Sequence, residues 1–273
     1  MVRSRQVIII CLLMIGAAMF QYKMGNIDFQ YFAFPVNIAL LLLVLGITHV
    51  AYQEKREHKA VQLMMSTSTS IFLLLLTFLA TLVIAFAPHL QFQRSWPFNL
   101  IILSLLINLQ LVIMRYKGKH RQRFYLTHIG LFIFISSLSF GAPDTHRSRA
   151  IISEGQTIEQ AYTFDNSIRP IGFPLTLQKF EVSYYENNVP RSFKATIKAD
   201  SGLHDILVNH PWKRSWKEDI YLVSHGIDKT TNQPYCVLEF ITQPWKYLVH
   251  FGLLLTALGA FMLLWGKNKN KKL

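Results

Sequence analysis

The chain has 273 residues, of which 51% are hydrophobic, and it carries 28 Lys and Arg against 15 Asp and Glu. This apolar fraction is concentrated in long stretches, so it says little about a large water-soluble core. The net charge of +13 does not indicate nucleic-acid binding, because residues 142–245 hold 11 Lys and Arg against 12 Asp and Glu. The excess of Lys and Arg lies in short segments between apolar stretches, where it indicates on which side of the membrane each segment lies.

Six apolar stretches are long enough to cross a membrane as helices, near residues 7–22, 35–52, 70–88, 97–115, 124–141 and 247–265. Each has roughly 17–20 residues with almost no charge, which is the length that ~30 Å of hydrocarbon requires. The pattern predicts a polytopic α-helical membrane protein of six spans with a polar domain inserted before the last one. The first stretch could instead be a cleaved signal peptide, since Arg3 and Arg5 precede it and small residues follow.

Lys and Arg residues predict how the spans are oriented. With the N-terminus in the cytoplasm, the cytoplasmic segments hold 14 Lys and Arg, whereas the two short outer loops hold only Lys23 and Arg94. Because cationic loops are retained on the cytoplasmic side, we expect both termini in the cytoplasm and the polar domain outside it.

The inserted segment, residues 142–246, is predicted to be an antiparallel β-domain. Apolar and polar residues alternate over 175–184 with one slip, as in a strand with a bulge, and 186–190 has turn chemistry. Alternation resumes over 193–199, which predicts a β-hairpin. Later short apolar runs supply more strands, and no βαβ rhythm or Gly-rich phosphate loop is present, so we expect a small sandwich or an open barrel.

Catalytic signals are missing from the sequence. It contains no C-x-x-C motif and no nucleophile beside an oriented base, and Cys11 and Cys236 lie too far apart to form a disulfide. Asn108 and Gln110, inside the fourth stretch, are expected to form interhelical hydrogen bonds. We therefore expect a non-catalytic subunit rather than an enzyme acting alone.

Several short segments carry a family resemblance. In chain order they are the basic turn at 115–123, Leu-Thr-His-Ile-Gly at 126–130, Ile-Ser-Glu-Gly-Gln-Thr at 152–157, Gly-Phe-Pro-Leu-Thr-Leu at 172–177, Phe-Glu-Val-Ser-Tyr-Tyr at 180–185 and Gln-Pro-Trp at 243–245. Their order and spacing resemble the ResB (CcsB) family of cytochrome c biogenesis proteins, which act with CcsA in haem delivery and attachment. The resemblance covers residues 70–273, and the first two spans have no counterpart in that family's four-helix arrangement.

The resemblance implies a domain division: two extra N-terminal transmembrane helices in 1–60, three helices of the ResB-like core in 61–141, an extracytoplasmic β-domain in 142–246, and a last helix with a basic cytoplasmic tail in 247–273. It implies a subunit of the bacterial cytoplasmic (inner) membrane that carries haem b in transit and delivers it, with a CcsA-type partner, to apocytochrome c. The β-domain is expected to dock the partner or the apocytochrome. The alternative is a haem-free, membrane-anchored protein that binds another envelope protein or assists transport.

The candidate ligand for haem iron is His128. An ionisable group about one turn inside a span is costly in lipid unless it meets a partner, and imidazole is a good axial ligand of haem iron. The resemblance implies that this histidine is an axial ligand. The alternative is a neutral histidine that is bonded to a helix carbonyl or faces the lipid headgroups, with Thr127 and Tyr125 nearby.

Three further histidines, His49, His89 and His250, are secondary candidates for haem ligation. By depth, His49 could pair with His128, and His89 could pair with His250, whereas the resemblance implies that the second ligand comes from the partner. His128 and His250 are expected near opposite faces of the membrane. Two axial nitrogens of one iron lie about 4 Å apart, so these two histidines cannot share one.

Overall fold

The structure, a computed structural model, describes residues 2–187, 189–200, 202–227 and 233–265, without the side chains of residues 2–11 and 265. The predicted basic tail, and the side chains of Arg3, Arg5 and Cys11, therefore lie outside the described part. The chain divides into two compact units, a helical one formed by residues 1–143 with 245–273 and a β-unit formed by 144–244.

The helical unit consists of α1 (Val2–Met24), α2 (Val36–Glu54), α3 (Lys59–Met65), α4 (Thr67–Phe86), α5 (Trp96–Arg115), α6 (Arg121–Gly141) and α7 (Lys246–Trp265). Within the described residues, α2, α4, α5, α6 and α7 are long and apolar enough to cross a membrane. They coincide with five of the six predicted spans. The predicted span at 7–22 falls on α1, which is not among these five, so six spans are not confirmed.

Local capping fixes the helix ends more sharply than hydropathy does. The helix α4 begins three residues before the predicted position because the Ser66 hydroxyl accepts a hydrogen bond from the Thr69 backbone N–H, at 3.2 Å. It ends at Phe86, just before Pro88, which cannot continue a helix. Ser95 caps α5 in the same way through the Phe98 N–H. The short helix α3 was not predicted, because a single apolar turn carries no hydropathy signal.

The centre of the helical unit is α5. Its buried apolar residues are Ile101, Ile102, Leu105, Leu106, Leu109 and Leu111. The expected interhelical hydrogen bonds of this helix are confirmed: Asn108 Nδ2 donates to the Met64 carbonyl of α3, and Gln110 Nε2 donates to the Leu45 carbonyl of α2 at 2.9 Å. These two amide side chains tie α5 to α3 and α2, because polar side chains between helices in a membrane form hydrogen bonds to the neighbouring helix.

The β-unit contains β1 (His146–Ser153), β2 (Thr157–Thr163), β3 (Ile168–Tyr184), β4 (Pro190–Ala199), β5 (Gly202–Leu207), β6 (Trp212–Lys213), β7 (Glu218–Ile227) and β8 (Pro234–Thr242). All pairs are antiparallel, in the order β5-β4-β3-β2-β1-β8-β7-β6. The predicted hairpin is confirmed as β3 and β4, and the register shifts between Leu177 and Lys179, at the predicted bulge.

All eight strands belong to one sheet, so two separate sheets of a sandwich are not present among the described residues. The sheet curls until its edge strands meet: His204 of β5 stacks on Trp212 of β6, with 4.1 Å between ring centres. It encloses one core, whose fully buried members include Ile152, Leu175, Leu177, Ile197, Ile206, Ile220 and Leu238. The β-unit is therefore an open barrel formed by one curled sheet.

Candidate functional site

His128 lies in the first half of α6 and is half-buried within the helical unit. Its Nδ1 is 2.9 Å from the carbonyl oxygen of Phe124, one turn earlier in the same helix. A carbonyl oxygen only accepts hydrogen bonds, so Nδ1 must carry the hydrogen when the ring is neutral. The other ring nitrogen, Nε2, then holds the free lone pair, and none of the described residues hydrogen-bonds to it. A bond to a helix carbonyl is what the alternative to haem ligation predicts for His128. A histidine that binds a metal through Nε2 has this same tautomer.

A column of three rings fixes the orientation of the His128 imidazole. The ring stacks on that of Phe124 with 3.9 Å between centres, and Phe124 stacks in turn on Tyr116 at 3.5 Å. The residues expected beside His128 bond elsewhere: the Thr127 hydroxyl donates to Arg123 O, and the Tyr125 hydroxyl donates to Tyr116 O. The contact that sequence reasoning missed is therefore Phe124, which helix spacing of four residues would have found.

Close packing between α6 and α7 holds the backbone around His128 in place. A Cβ on Gly259 would collide with Thr127, the residue next to His128. A Cβ on Gly130 would lie 2.5 Å from Thr256 N, and one on Gly252 would lie 2.5 Å from Phe134 N. Small residues at these positions let two helix backbones approach closely, as is common between helices in lipid. The α6 helix therefore has little freedom to rotate and carry His128 elsewhere.

The same contacts show where His250 lies relative to His128. Gly130 meets Thr256 and Phe134 meets Gly252, so α6 and α7 run antiparallel and His128 lies level with Leu258. That level is roughly eight residues, or about 12 Å, from His250 along α7. Two ligands of one iron cannot lie so far apart, so His128 and His250 do not form a ligand pair.

The other secondary candidates, His49 and His89, form no hydrogen bond or ring contact with His128 among the described residues. His49 lies on an exposed part of α2, and His89 is exposed in the short turn that follows α4. Within the described part of the chain, His250 likewise forms no hydrogen bond or ring contact with His128. Among the residues that the structure describes, no group of three or more His, Cys, Asp or Glu side chains is placed so that it could hold a metal ion.

His128 therefore fits one axial position of a haem iron. His128 offers a single imidazole with a fixed tautomer and a free lone pair, on a helix long and apolar enough to cross a membrane. When bound there, haem would supply the iron that this lone pair coordinates. A second ligand would come from another histidine of this chain, from another protein or from solvent.

Comparison with known protein families found a match to part of the chain. A model of the ResB-like family matches residues 110–243, from the end of α5 through α6 to the end of β8. The match includes His128 and the whole β-unit, and it excludes α1 to α4 and α7. A comparison with curated proteins found no match. The family is linked with cytochrome c biogenesis in general, as a membrane component of a biogenesis complex. Over residues 110–243, just short of half its length, the chain is similar to the ResB-like family.

Proposed function

We propose that this protein is a membrane subunit for cytochrome c maturation, which acts with a CcsA-type partner in haem delivery and attachment to apocytochrome c. The observation that carries the proposal is the contact between His128 Nδ1 and the Phe124 carbonyl, which leaves Nε2 of His128 free. The helix that holds His128 is long and apolar enough to cross a membrane, and it lies within the residues that the family model matches. A histidine inside a membrane span with one ring nitrogen left unbonded is a candidate for a functional site.

In this proposal His128 binds and orients the haem, and it takes no part in the attachment reaction. The Phe124 carbonyl holds the proton on Nδ1, so that Nε2 remains a ligand rather than a donor. Stacking on Phe124 fixes the plane of the His128 ring. The close packing of α6 against α7 fixes the position of α6, and so the depth at which the ring lies. The partner supplies the second ligand, as the resemblance to the family implies.

The charge distribution supports a location in the bacterial cytoplasmic membrane with the β-unit outside the cytoplasm. Basic residues concentrate in alternate loops, which are the ones retained inside. The β-unit, with nearly equal numbers of acidic and basic residues, would then face the partner and the apocytochrome on the outer side.

Absorption spectroscopy tests the proposal. The full chain is purified in detergent, alone and co-expressed with a CcsA homologue, as the wild type, as His128→Gly, and as His250→Gly as a matched control. We expect a haem Soret band that His250→Gly keeps, that His128→Gly loses, and that added imidazole restores by filling the space of the missing ring.

Two results would overturn the proposal. A Soret band that is unchanged in His128→Gly would exclude this residue as an axial ligand. No band in any preparation, with the complex of the two proteins demonstrably formed, would favour a haem-free interaction protein of the envelope.

A further inference from the structure

The inward-facing row of the β-unit turns from apolar to polar at one end. Alternation along β1 places Ile152 and Ala150 in the core, and the same face continues through Ser148 to His146. Opposite His146, the register brings Thr242 of β8, which in turn pairs with Glu218 of β7. Inward positions of a small barrel are normally filled by apolar side chains, so this polar end is an exception that needs a reason.

The same change occurs on β3. Its inward row includes Leu177, Leu175 and Phe173, all buried, and ends at Arg169, which is half-buried while both of its neighbours are exposed. These polar and apolar rows surround a cavity of about 530 Å³, which we call the mouth cavity, lined among others by His146, Arg169, Phe173, Trp212, Lys217 and Phe240. That volume is in the range of sites that hold small organic molecules.

Cationic groups predominate in the mouth cavity. Arg214 is paired with Glu218 at 2.5 Å, and its guanidinium lies 4.0 Å above the ring of Phe173. The Arg169 guanidinium, by contrast, forms no ion pair or hydrogen bond with any residue that the structure describes. Lys217 adds a further ammonium group, and the other carboxylate in the lining is Asp200. The lining therefore has an excess of positive charge and one arginine with no anion to meet.

The positive charge of Arg169 affects a neighbouring histidine that lines the mouth cavity. The pKa of His146 is lowered from its ordinary value, first by burial and second by the positive charge of Arg169, against the opposing effect of Asp144. A guanidinium that depresses a neighbouring imidazole in this way also attracts an anion to the same space.

Aromatic rings form the deeper wall of the mouth cavity. Phe173 and Trp212 meet edge to face, with 6.2 Å between ring centres. His204 stacks on the Trp212 indole at 4.1 Å and so holds it in place. Such a wall favours a flat apolar body, because rings prefer stacked or edge contacts with other rings.

We propose that the mouth cavity binds a small organic anion, with its carboxylate paired to the Arg169 guanidinium and its flat apolar body against Phe173 and Trp212. Arginine suits this role because its planar fork can donate two parallel hydrogen bonds to a carboxylate. The site is formed by residues of the β-unit alone, so its test does not depend on the proposed haem ligation.

Isothermal titration calorimetry on the full chain in detergent tests this inference, with naphthalene-2,6-dicarboxylate as the probe. This dianion has a flat ring body, and its charges keep it out of micelles. The uncharged control is 2,6-bis(hydroxymethyl)naphthalene. We expect the dicarboxylate to bind the wild type and Lys179→Gln, which removes an exposed cation elsewhere in the same unit. Binding by Arg169→Gln should be at least about tenfold weaker.

A second variant separates charge from geometry and guards against misfolding. Arg169→Lys keeps the charge but loses the planar fork, so we expect intermediate affinity. Each variant is first shown to be folded by protection of the buried Cys236 thiol against a maleimide. Equal binding by the wild type and Arg169→Gln, equal binding of the diol and the dicarboxylate, or no heat with the wild type would overturn the proposal.

Discussion

Gly130 of α6 and Gly252 of α7 pass each other backbone to backbone: a Cβ added to either glycine would lie 2.8 Å from the carbonyl oxygen of the other. Such a distance is well inside van der Waals contact, and the obstructing atoms are backbone atoms that cannot rotate away. The two helices can therefore approach this closely only if both positions are glycine.

The first prediction concerns this seam. Gly252→Ala should force α6 and α7 apart and lower the free energy of unfolding by about 1–3 kcal/mol, as overpacking does in other tightly packed interfaces. The measurement is the temperature at which the detergent-solubilised chain loses its monodisperse peak on size exclusion. Gly46→Ala, in α2, is the matched control, because a Cβ there meets no atom within 4 Å. Equal behaviour of the two variants would contradict the prediction.

The second prediction concerns a buried carboxylate in the β-unit. Glu239 of β8 is 2% exposed and is flanked on β1 by Arg149, whose Nη2 is 2.9 Å away, and by Arg147 at 2.8 Å. The Arg147 contact is an ion pair whose geometry falls short of a hydrogen bond. Glu239→Gln should lower the free energy of unfolding by about 1–3 kcal/mol, because it leaves buried polar groups poorly matched.

The measurement for Glu239→Gln is the rate of limited proteolysis of the β-unit in the intact chain. Glu181→Gln is the control, since Glu181 also bonds two cations, Lys179 and Lys194, but on the exposed surface. Exposed ion pairs add little to stability, so this variant should be cleaved at the wild-type rate. Faster cleavage of the control than of Glu239→Gln would refute the argument from burial.

Strong periodicities made part of this fold predictable. Long uncharged stretches mark a membrane helix by themselves, which is why the positions of α2 and α4 to α7 followed from the sequence. The hairpin of β3 and β4 followed from alternation with period two and a turn between. In β3, however, the first seven residues were missed, because Pro170, Gly172 and Pro174 break the pattern that a strand is expected to show.

The candidate sites were predictable to different degrees. His128 stands out in the sequence as an ionisable residue inside an apolar stretch, but its tautomer depends on a carbonyl and could only come from coordinates. The mouth cavity was not predictable, because Arg169 and His146 become neighbours only when β1, β2 and β3 pair and curl. The alternation of side chains along each strand shows which residues face the inside of the barrel. It does not show at which residue the apolar core ends.

The third prediction concerns Cys236 of β8, which is fully buried in the barrel core. Burial raises the pKa of its thiol to about 12, so almost no thiolate, the reactive form, exists at pH 8. In a Cys11→Ser background, Cys236 should resist a maleimide in the native chain and react fully in denaturing detergent. Mass spectrometry of the labelled protein measures both. Rapid labelling of the native chain would mean that β7 and β8 separate readily.

The fourth prediction is a pH dependence that originates at His146. Its pKa lies below the ordinary 6.5 because of burial and the charge of Arg169, so the folded β-unit binds this proton less readily than the unfolded chain does. Where the unfolded state binds more protons, stability rises with pH. The contribution of His146 is therefore fully present above pH 6.5 and is lost progressively as the pH falls below that value.

Two variants isolate the effect of His146 from that of the other titrating groups. His146→Gln removes the proton site, so the difference in stability between wild type and variant should change between about pH 7.5 and pH 5, in favour of the variant at low pH. Arg169→Gln removes one cause of the lowered pKa and should give a shallower slope than the wild type. Hydrogen exchange of the β1 amides in the intact chain measures the local stability at each pH. Parallel pH profiles for the wild type and His146→Gln would show that burial and Arg169 do not perturb this imidazole.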